Sequence, residues 1–321
     1  MHSCRLSFSR ECPKALPHLY ELYRASLPPC KQAFVAPHMP ADLLAKDGLV
    51  CFQDDEPIAA LLWRLDREMP FSLSSVDFYA ESPVASFESI QLLFDAFLAR
   101  NCANQVIHFE LWTPPQARIH QVLLQRGFER IERKLLSLSQ PALDASEFDD
   151  IHLVSLSEFH LIPTRLAKLG EVLCQAYAET VDGRFYEHYR TPASCRAYLS
   201  QVVNSPWCNT RHSWLACSAH ANTIIGAALC HSWPRARTLF LEQLFIDPQH
   251  RGRGVGKRLF SQVTRALAQG GVRNLVWTVS EANHPALALY QSFGAAELDA
   301  EIAYIKTVAK AIVPAPLGVS P

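Results

Sequence analysis

Seven consecutive residues, Arg251, Gly252, Arg253, Gly254, Val255, Gly256 and Lys257, hold the densest chemical potential in the 321-residue chain. Glycine has no Cβ to keep a ligand away from the backbone, so closely spaced glycines let successive N–H groups converge on one anion. A helix starting there adds the positive end of its dipole, and the interleaved Arg251, Arg253 and Lys257 add full charges. Phosphate is the guest that suits such a run. Spacing excludes two phosphate-binding designs. A Walker A loop needs glycine where Arg251 stands and Ser or Thr where Arg258 stands. A dinucleotide fingerprint needs G-x-G-x-x-G, whereas Gly252, Gly254 and Gly256 form G-x-G-x-G.

A loop of this kind must be held by an element on each side. Leu239 to Ile246 is rich in β-formers and reads as a strand, ended by Asp247 and Pro248. From Val255 the apolar period changes, and Val255, Leu259, Phe260, Val263 and Leu267 fall on one face of a helix. In that setting Arg251, Gly254 and Gly256 meet the pattern Q/R-x-x-G-x-G/A, with which acyltransferases of the GNAT superfamily grip the pyrophosphate of acetyl-CoA. The chain resembles this superfamily, specifically from about Leu239 to Gly294.

The resemblance implies roles residue by residue. Acetyl-CoA, a co-substrate, would be held by the strand end Leu244, Phe245 and Ile246 and by the loop Arg251, Gly252, Arg253, Gly254, Val255, Gly256 and Lys257. Relatives splay two strands at this point, freeing a backbone N–H for the acetyl carbonyl. Tyr290 matches the tyrosine that protonates the departing thiolate, seven residues after an asparagine position held by Asn283, which can equally cap the helix beginning at Pro285. Relatives usually carry Phe where Ala295 follows Gly294, so one packing contact is altered. Glu242 is the carboxylate nearest the cleft and the candidate base; it alternates with Leu244 and Ile246 along the strand, and it can equally serve as an ion-pair partner. Glu281 is a weaker candidate, and Thr278 occupies a position that is glutamate in some relatives. The acceptor is expected against Tyr177 to Pro192. There Tyr177, Phe185, Tyr186 and Tyr189 offer flat apolar area, and Glu179, Asp182 and Glu187 offer charge for a cationic amine; an ordinary surface loop with aromatic anchors fits the same residues.

The remainder of the chain reads as two similar halves. In the first, a helix over Lys14 to Leu27 precedes a hairpin of Gly48–Gln53 and Ile58–Arg64. A strand at Ser74–Ala80, a helix at Phe87–Ala99, a strand at Gln105–Leu111 and a helix at Gln116–Gln125 follow, closed by Gly127. In the second, helices at Arg165–Tyr177 and Ser194–Val203 precede a hairpin of Ser213–Ser218 and Thr223–Cys230. The glycine-loop unit comes next, then a strand at Leu275–Val279, a helix at Pro285–Phe293 and a strand at Ile302–Lys306. Both halves contain a strand, a proline turn, an amphipathic helix and a glycine, a weak internal repeat resembling a tandem GNAT protein. The expected fold is therefore α/β (α+β), two GNAT-like domains, each a mixed and mostly antiparallel sheet flanked by helices. Residues 1–140 would form a degenerate domain, 141–150 a linker, 151–310 the catalytic domain and 311–321 a disordered tail. The first half has no glycine between Ala80 and Ile90, and Glu81 and Glu88 would repel phosphate, so tight acetyl-CoA binding is not expected there.

A formal net charge of -1 gives no reason to expect nucleic acid or an anionic membrane as partner. Ten cysteines without a C-x-x-C pair and an N-terminus without an apolar segment point to reduced thiols and a cytoplasmic protein. Thirteen histidines show no metal-ligand spacing, so no metal is expected. The chain is read as a monomeric or homodimeric N-acetyltransferase in which a primary amine attacks acetyl-CoA directly. The alternative is a non-catalytic acyl-CoA sensor or partner-binding protein. A transferase of longer or aminoacyl groups is a third reading.

Overall fold

The computed structural model describes residues 4–8, 11–12, 14–26, 47–64, 72–73, 75–83, 85–103, 108–113, 118–140, 151–159, 163–219, 223–233, 237–268 and 271–307. The expected linker and tail lie outside these, as do the expected starts at Ser74, Gln105 and Gln116 and the expected helix end at Leu27. Two compact units divide the chain: the first lies within Met1–Leu27, Ala36–Ile131 and Ile302–Pro321, the second within Glu132–Glu301. The division falls inside two strands. Residues 132–138, assigned from sequence to the first half, pack in the second unit, and residues 302–307 pack in the first. Both transfers follow from strand pairing.

The first unit contains β1 (Cys4–Phe8), α1 (Ala15–Ser26), β2 (Asp47–Gln53), β3 (Glu56–Arg64), β4 (Ser72–Leu73), β5 (Ser75–Glu81), α2 (Phe87–Ala103), β6 (His108–Thr113) and α3 (Ile119–Gln125). Strands β1, β2, β3 and β5 form one antiparallel sheet. The expected hairpin turns at Asp54 and Asp55, with φ of 48° and 67°, which short polar side chains tolerate. β6 pairs in parallel with β4, and antiparallel with Ile302–Thr307 of the final strand. That pairing brings Ile302 and Tyr304 into a core with Trp63, Phe94, Phe97, Val122 and Phe128. The buried Tyr304 hydroxyl meets His120 Nδ1 at 2.9 Å. At the glycine-free turn before α2 the Arg118 guanidinium donates to the carbonyls of Ala85 and Pro83, and the Ser82, Ala85 and Ser89 amides donate to Ile58 O, Ser82 O and Ser86 Oγ.

The second unit contains the body of β7 (Glu129–Leu138), then β8 (Ile151–Ser155), α4 (Pro163–Tyr177), α5 (Val181–Phe185), a 3-10 turn at Glu187–Tyr189 and α6 (Pro192–Asn204). β9 (Trp214–Ser218), β10 (Ile224–Trp233), β11 (Thr238–Ile246), α7 (Val255–Ala268), β12 (Asn274–Ser280), α8 (His284–Ser292) and the start of β13 (Ala296–Thr307) complete it. Its strands run β8, β9, β10, β11, β12, β7, antiparallel except for the parallel β11–β12 pair. Strand β7 has no counterpart in the sequence reading; six of its residues, Arg133–Leu138, pair with β12, and Leu136 and Leu138 join the core. The periodicity read for α7 holds: Val255, Leu259, Phe260 and Val263 are buried and Leu267 packs at the margin. No helix among the described residues is long and apolar enough to cross a membrane.

Candidate active site

Two departures from regular pairing shape the site. β11 and β12 pair only at Thr238–Asn274, Leu239–Leu275 and Phe240–Val276, although β11 continues to Ile246 and β12 to Ser280. Beyond Phe240 they diverge, and Leu244, Phe245 and Ile246 pair on one side only, with Ala228, Ala227 and Gly226 of β10. The side of β11 facing away from β10 therefore has no ladder partner there, which is the opening the resemblance implied. The second departure is a bulge. Leu229 pairs with Gln243 and Cys230 with Leu241, leaving Glu242 as an extra residue.

That extra residue changes the chemistry. In a regular strand Glu242 and Gln243 would face opposite ways. Here the Tyr198 hydroxyl donates to Glu242 Oε1 at 2.9 Å and accepts from Gln243 Nε2 at 2.8 Å, so both side chains reach one phenol. Gln243 is buried, and its amide serves three tyrosines: Nε2 also donates to Tyr189 at 2.8 Å, and Oε1 accepts from Tyr177 at 3.0 Å. Tyr177 and Tyr189 stack with centroids 3.9 Å apart and planes 8° from parallel. Burial pushes the Tyr189 and Tyr198 hydroxyls well above the usual phenol range. His231 Nδ1 lies 3.8 Å from Glu242 Oε2. Glu242 is thus a hydrogen-bond acceptor for Tyr198 with the His231 ring close by. Gln243, Tyr198 and the bulge were missed from sequence; the one available signal was a glutamine within an otherwise apolar strand.

The glycine loop follows a 3-10 turn at Pro248–His250 that is capped by Asp247 Oδ1 on the Gln249 amide. Gly252 and Gly254 adopt φ of 73° and 78°, left-handed values that L side chains adopt at a cost. A Cβ on Gly252 would meet nothing within 4 Å, so the turn is open. Among the described residues, the amides of Gly252, Arg253, Gly254, Val255 and Gly256 donate to no backbone carbonyl, while the first loop-to-helix bond runs from the Arg258 amide to Gly254 O. Five adjacent donors at the start of a 14-residue helix are thereby available to an anion. The loop's fit to a pyrophosphate rests on those donors and on the open turn. Gly256 faces the end of β11 and α8: a Cβ there would touch Ile246 at 3.7 Å and Leu289 at 3.8 Å. Arg251, Arg253 and Lys257 are all exposed, and the Arg251 guanidinium also donates to Ala176 O at the end of α4, bracing the loop.

Tyr290 lies in the shared core with Leu244, Ile246, Val255, Phe260 and Trp277; its ring is 4.8 Å from Trp277 and 5.1 Å from Phe260. Burial pushes its hydroxyl well up, Tyr177 adds to the rise and Arg133 opposes it. Asn283 caps α8, its Oδ1 accepting from the Ala286 amide at 3.3 Å. Thr278 Oγ1 accepts from Arg133 at 3.0 Å, and Glu281 lies 3.6 Å from Lys134. In the expected acceptor segment Tyr186 and Tyr189 are buried, Asp182 pairs with Arg133 at 3.3 Å, Glu187 pairs with Arg190 at 2.9 Å, Phe185 lies under Arg184 and Glu179 is exposed. Among the described residues no group of three or more His, Cys, Asp and Glu could hold a metal ion.

Residues 183–295 match the family model "Acetyltransferase (GNAT) family". Thialysine N-epsilon-acetyltransferase of Bos taurus is 30% identical over 64 residues, 20% of this chain and 38% of that protein; its Sus scrofa counterpart is 29% identical over 62 residues, 19% and 36%. The chain therefore spans well under half the length of these curated relatives. A GCN5-related N-acetyltransferase from Sphaerobacter thermophilus superposes with a TM-score of 0.65 over 97% of both chains at 14% identity. A tandem GNAT protein from the clavulanic acid biosynthesis pathway gives 0.62 over 96% of this chain and 100% of its own, also at 14% identity. Likeness at that identity speaks to fold, and the family match falls on the diverged strands, the glycine loop and α8: residues 183–295 carry a GNAT-family acetyltransferase domain.

Proposed function

We propose that this chain is an acetyl-CoA-dependent N-acetyltransferase in which a primary amine attacks the thioester directly in a ternary complex. The observation that carries the reading is the row of five unpartnered amides from Gly252 to Gly256, set at a helix start beside a strand end that has left its neighbour. These donors, with Arg253 and Lys257, would hold the diphosphate. The free edge of β11 at Leu244–Ile246 would orient the acetyl carbonyl and stabilise the charge it gains in the tetrahedral transition state.

Proton movements follow from placement. Tyr290 keeps its proton through the neutral range because it is buried, so it can deliver that proton to the sulfur as the thiolate leaves. Glu242 accepts the proton lost by the ammonium before attack, its carboxylate oriented by Tyr198. The acceptor lies against Tyr177–Pro192, where Arg133 already neutralises Asp182 and the exposed Glu179 remains to attract a cation. In the first half, the turn that corresponds to the glycine loop has its Ser82, Ala85 and Ser89 amides bonded to Ile58 O, Ser82 O and Ser86 Oγ, which supports one acetyl-CoA site per chain.

The test is release of free CoA from acetyl-CoA with lysine, thialysine, spermidine, glucosamine and a peptide N-terminus as acceptors. Turnover with at least one amine is expected. Tight acetyl-CoA binding without turnover for any amine in a wide panel would overturn the reading in favour of a sensor.

A further inference from the structure

Among the described residues of the second unit, the buried Arg133–Asp182 ion pair takes no part in the proton movements proposed above. Arg133, on β7, is joined to three residues at once: its guanidinium meets Asp182 Oδ1 of α5 at 3.3 Å, donates to the hydroxyl of Tyr186 just after α5 at 3.1 Å and donates to Thr278 Oγ1 of β12 at 3.0 Å. The two charged side chains are 13% and 10% exposed. Burying such a pair contributes little to stability, since apolar residues of similar size often serve as well or better. What it does supply is direction, because the planar guanidinium presents its donors at fixed angles.

The segment it grips is short and packed close to α4. α5 has five residues, capped by Thr180 Oγ1 on the Gly183 amide at 3.0 Å. Gly183 lies so close to α4 that a Cβ would stand 1.8 Å from Tyr177 O. On the opposite side, Arg133 links Asp182 and Tyr186 to Thr278, beyond the point where β12 has parted from β11. Burial pushes the Asp182 carboxyl above its ordinary range, and the Arg133 charge pulls it partly back.

We propose that Arg133 is a positioning residue for acyl transfer, its buried guanidinium clamping the Val181–Tyr186 segment to β12 and so fixing the wall against which the amine binds. This rests on the acceptor assignment made above. It also gives the strand that crosses from the first half a part in the reaction.

The test uses the full chain with Arg133→Met combined with Asp182→Asn, which removes both charges together, and separately Thr278→Val, which removes one hydrogen bond. Hydrogen exchange without any ligand should show the Arg184 and Tyr186 amides exchanging at least tenfold faster in the double variant, with α7 unchanged. For the panel amine that turns over best, KM should rise roughly tenfold or more in the double variant and several-fold in Thr278→Val, while the Kd for acetyl-CoA by calorimetry stays within twofold of wild type. Unchanged exchange in the segment, or a loss falling on acetyl-CoA binding instead of amine KM, would overturn the clamp. Should the double variant fail to fold, Thr278→Val decides: wild-type exchange and amine KM there also overturn it. Absence of turnover in the wild-type chain would sink the transferase reading alone, leaving the exchange result to judge the clamp.

Discussion

At the scale of single residues, Tyr290 and Gln243 differ in how they can be tested. Tyr290 packs against Trp277 and Phe260 regardless of its hydroxyl, so Tyr290→Phe keeps the ring contacts and removes only the acid. General acid catalysis contributes about 10²–10⁴-fold, so kcat should fall by about that range with acetyl-CoA affinity retained, as single-turnover kinetics and calorimetry would show. The pH dependence has a definite sign. A hydroxyl raised above its ordinary 10.0 stays protonated throughout the neutral and mildly alkaline range, so kcat should not decline below pH 10 through ionisation of Tyr290. An alkaline limb that disappears in Tyr290→Phe would contradict this. Gln243 is a structural hub: Gln243→Leu would remove a partner from three phenols, of which Tyr198 keeps Glu242, at roughly 1–3 kcal/mol for each one left unsatisfied. A fall in the urea midpoint with unchanged slope would register it.

At the scale of elements, the strand–loop–helix unit works because each part leaves something unpaired. β11 leaves β12 after Phe240, and α7 begins with amides that, among the described residues, donate to no backbone carbonyl. The left-handed φ of Gly254 is the weak link, since a β-branched residue there costs on the order of 1–3 kcal/mol of backbone strain. Gly254→Val should therefore raise the Kd for acetyl-CoA at least tenfold by turning amides away from the anion, with a smaller effect on melting temperature. Equal affinity in calorimetry would remove the loop from the site. The loop was legible in sequence because glycine spacing and a change of hydrophobic period are local properties. The bulge at Glu242 was not legible, because it depends on where Leu229 and Cys230 of another strand pair. The assumed alternation of Glu242 with Leu244 and Ile246 consequently said nothing of its meeting with Tyr198 beside Gln243.

At the scale of the whole molecule, the chain is not cut where composition suggests. Arg133–Leu138 complete the second unit's sheet against β12, and Ile302–Thr307 complete the first unit's pairing with β6. A fragment of residues 151–307 would leave the β12 edge bare and lack Leu136, Leu138 and Arg133, whereas residues 132–301 keep all of them. The longer boundary should melt cooperatively by circular dichroism, and the 151–307 fragment should aggregate or melt at least 10 °C lower. Equal melting of the two would refute the contribution assigned to β7.

The sequence by itself determined the local chemistry: where α7 starts, which of its faces is buried, that Gly127 and Gly294 end their helices with positive φ, and that the glycine run suits a phosphate. Each is settled by residues within a few positions of one another. Tertiary structure alone decided that residues 132–138 belong to the second unit, that Arg133 meets Asp182 and Thr278, and that Glu242 and Gln243 face one phenol. Strand partners and buried polar contacts are chosen between segments tens to more than a hundred residues apart, by hydrogen-bond satisfaction and packing that no local pattern encodes.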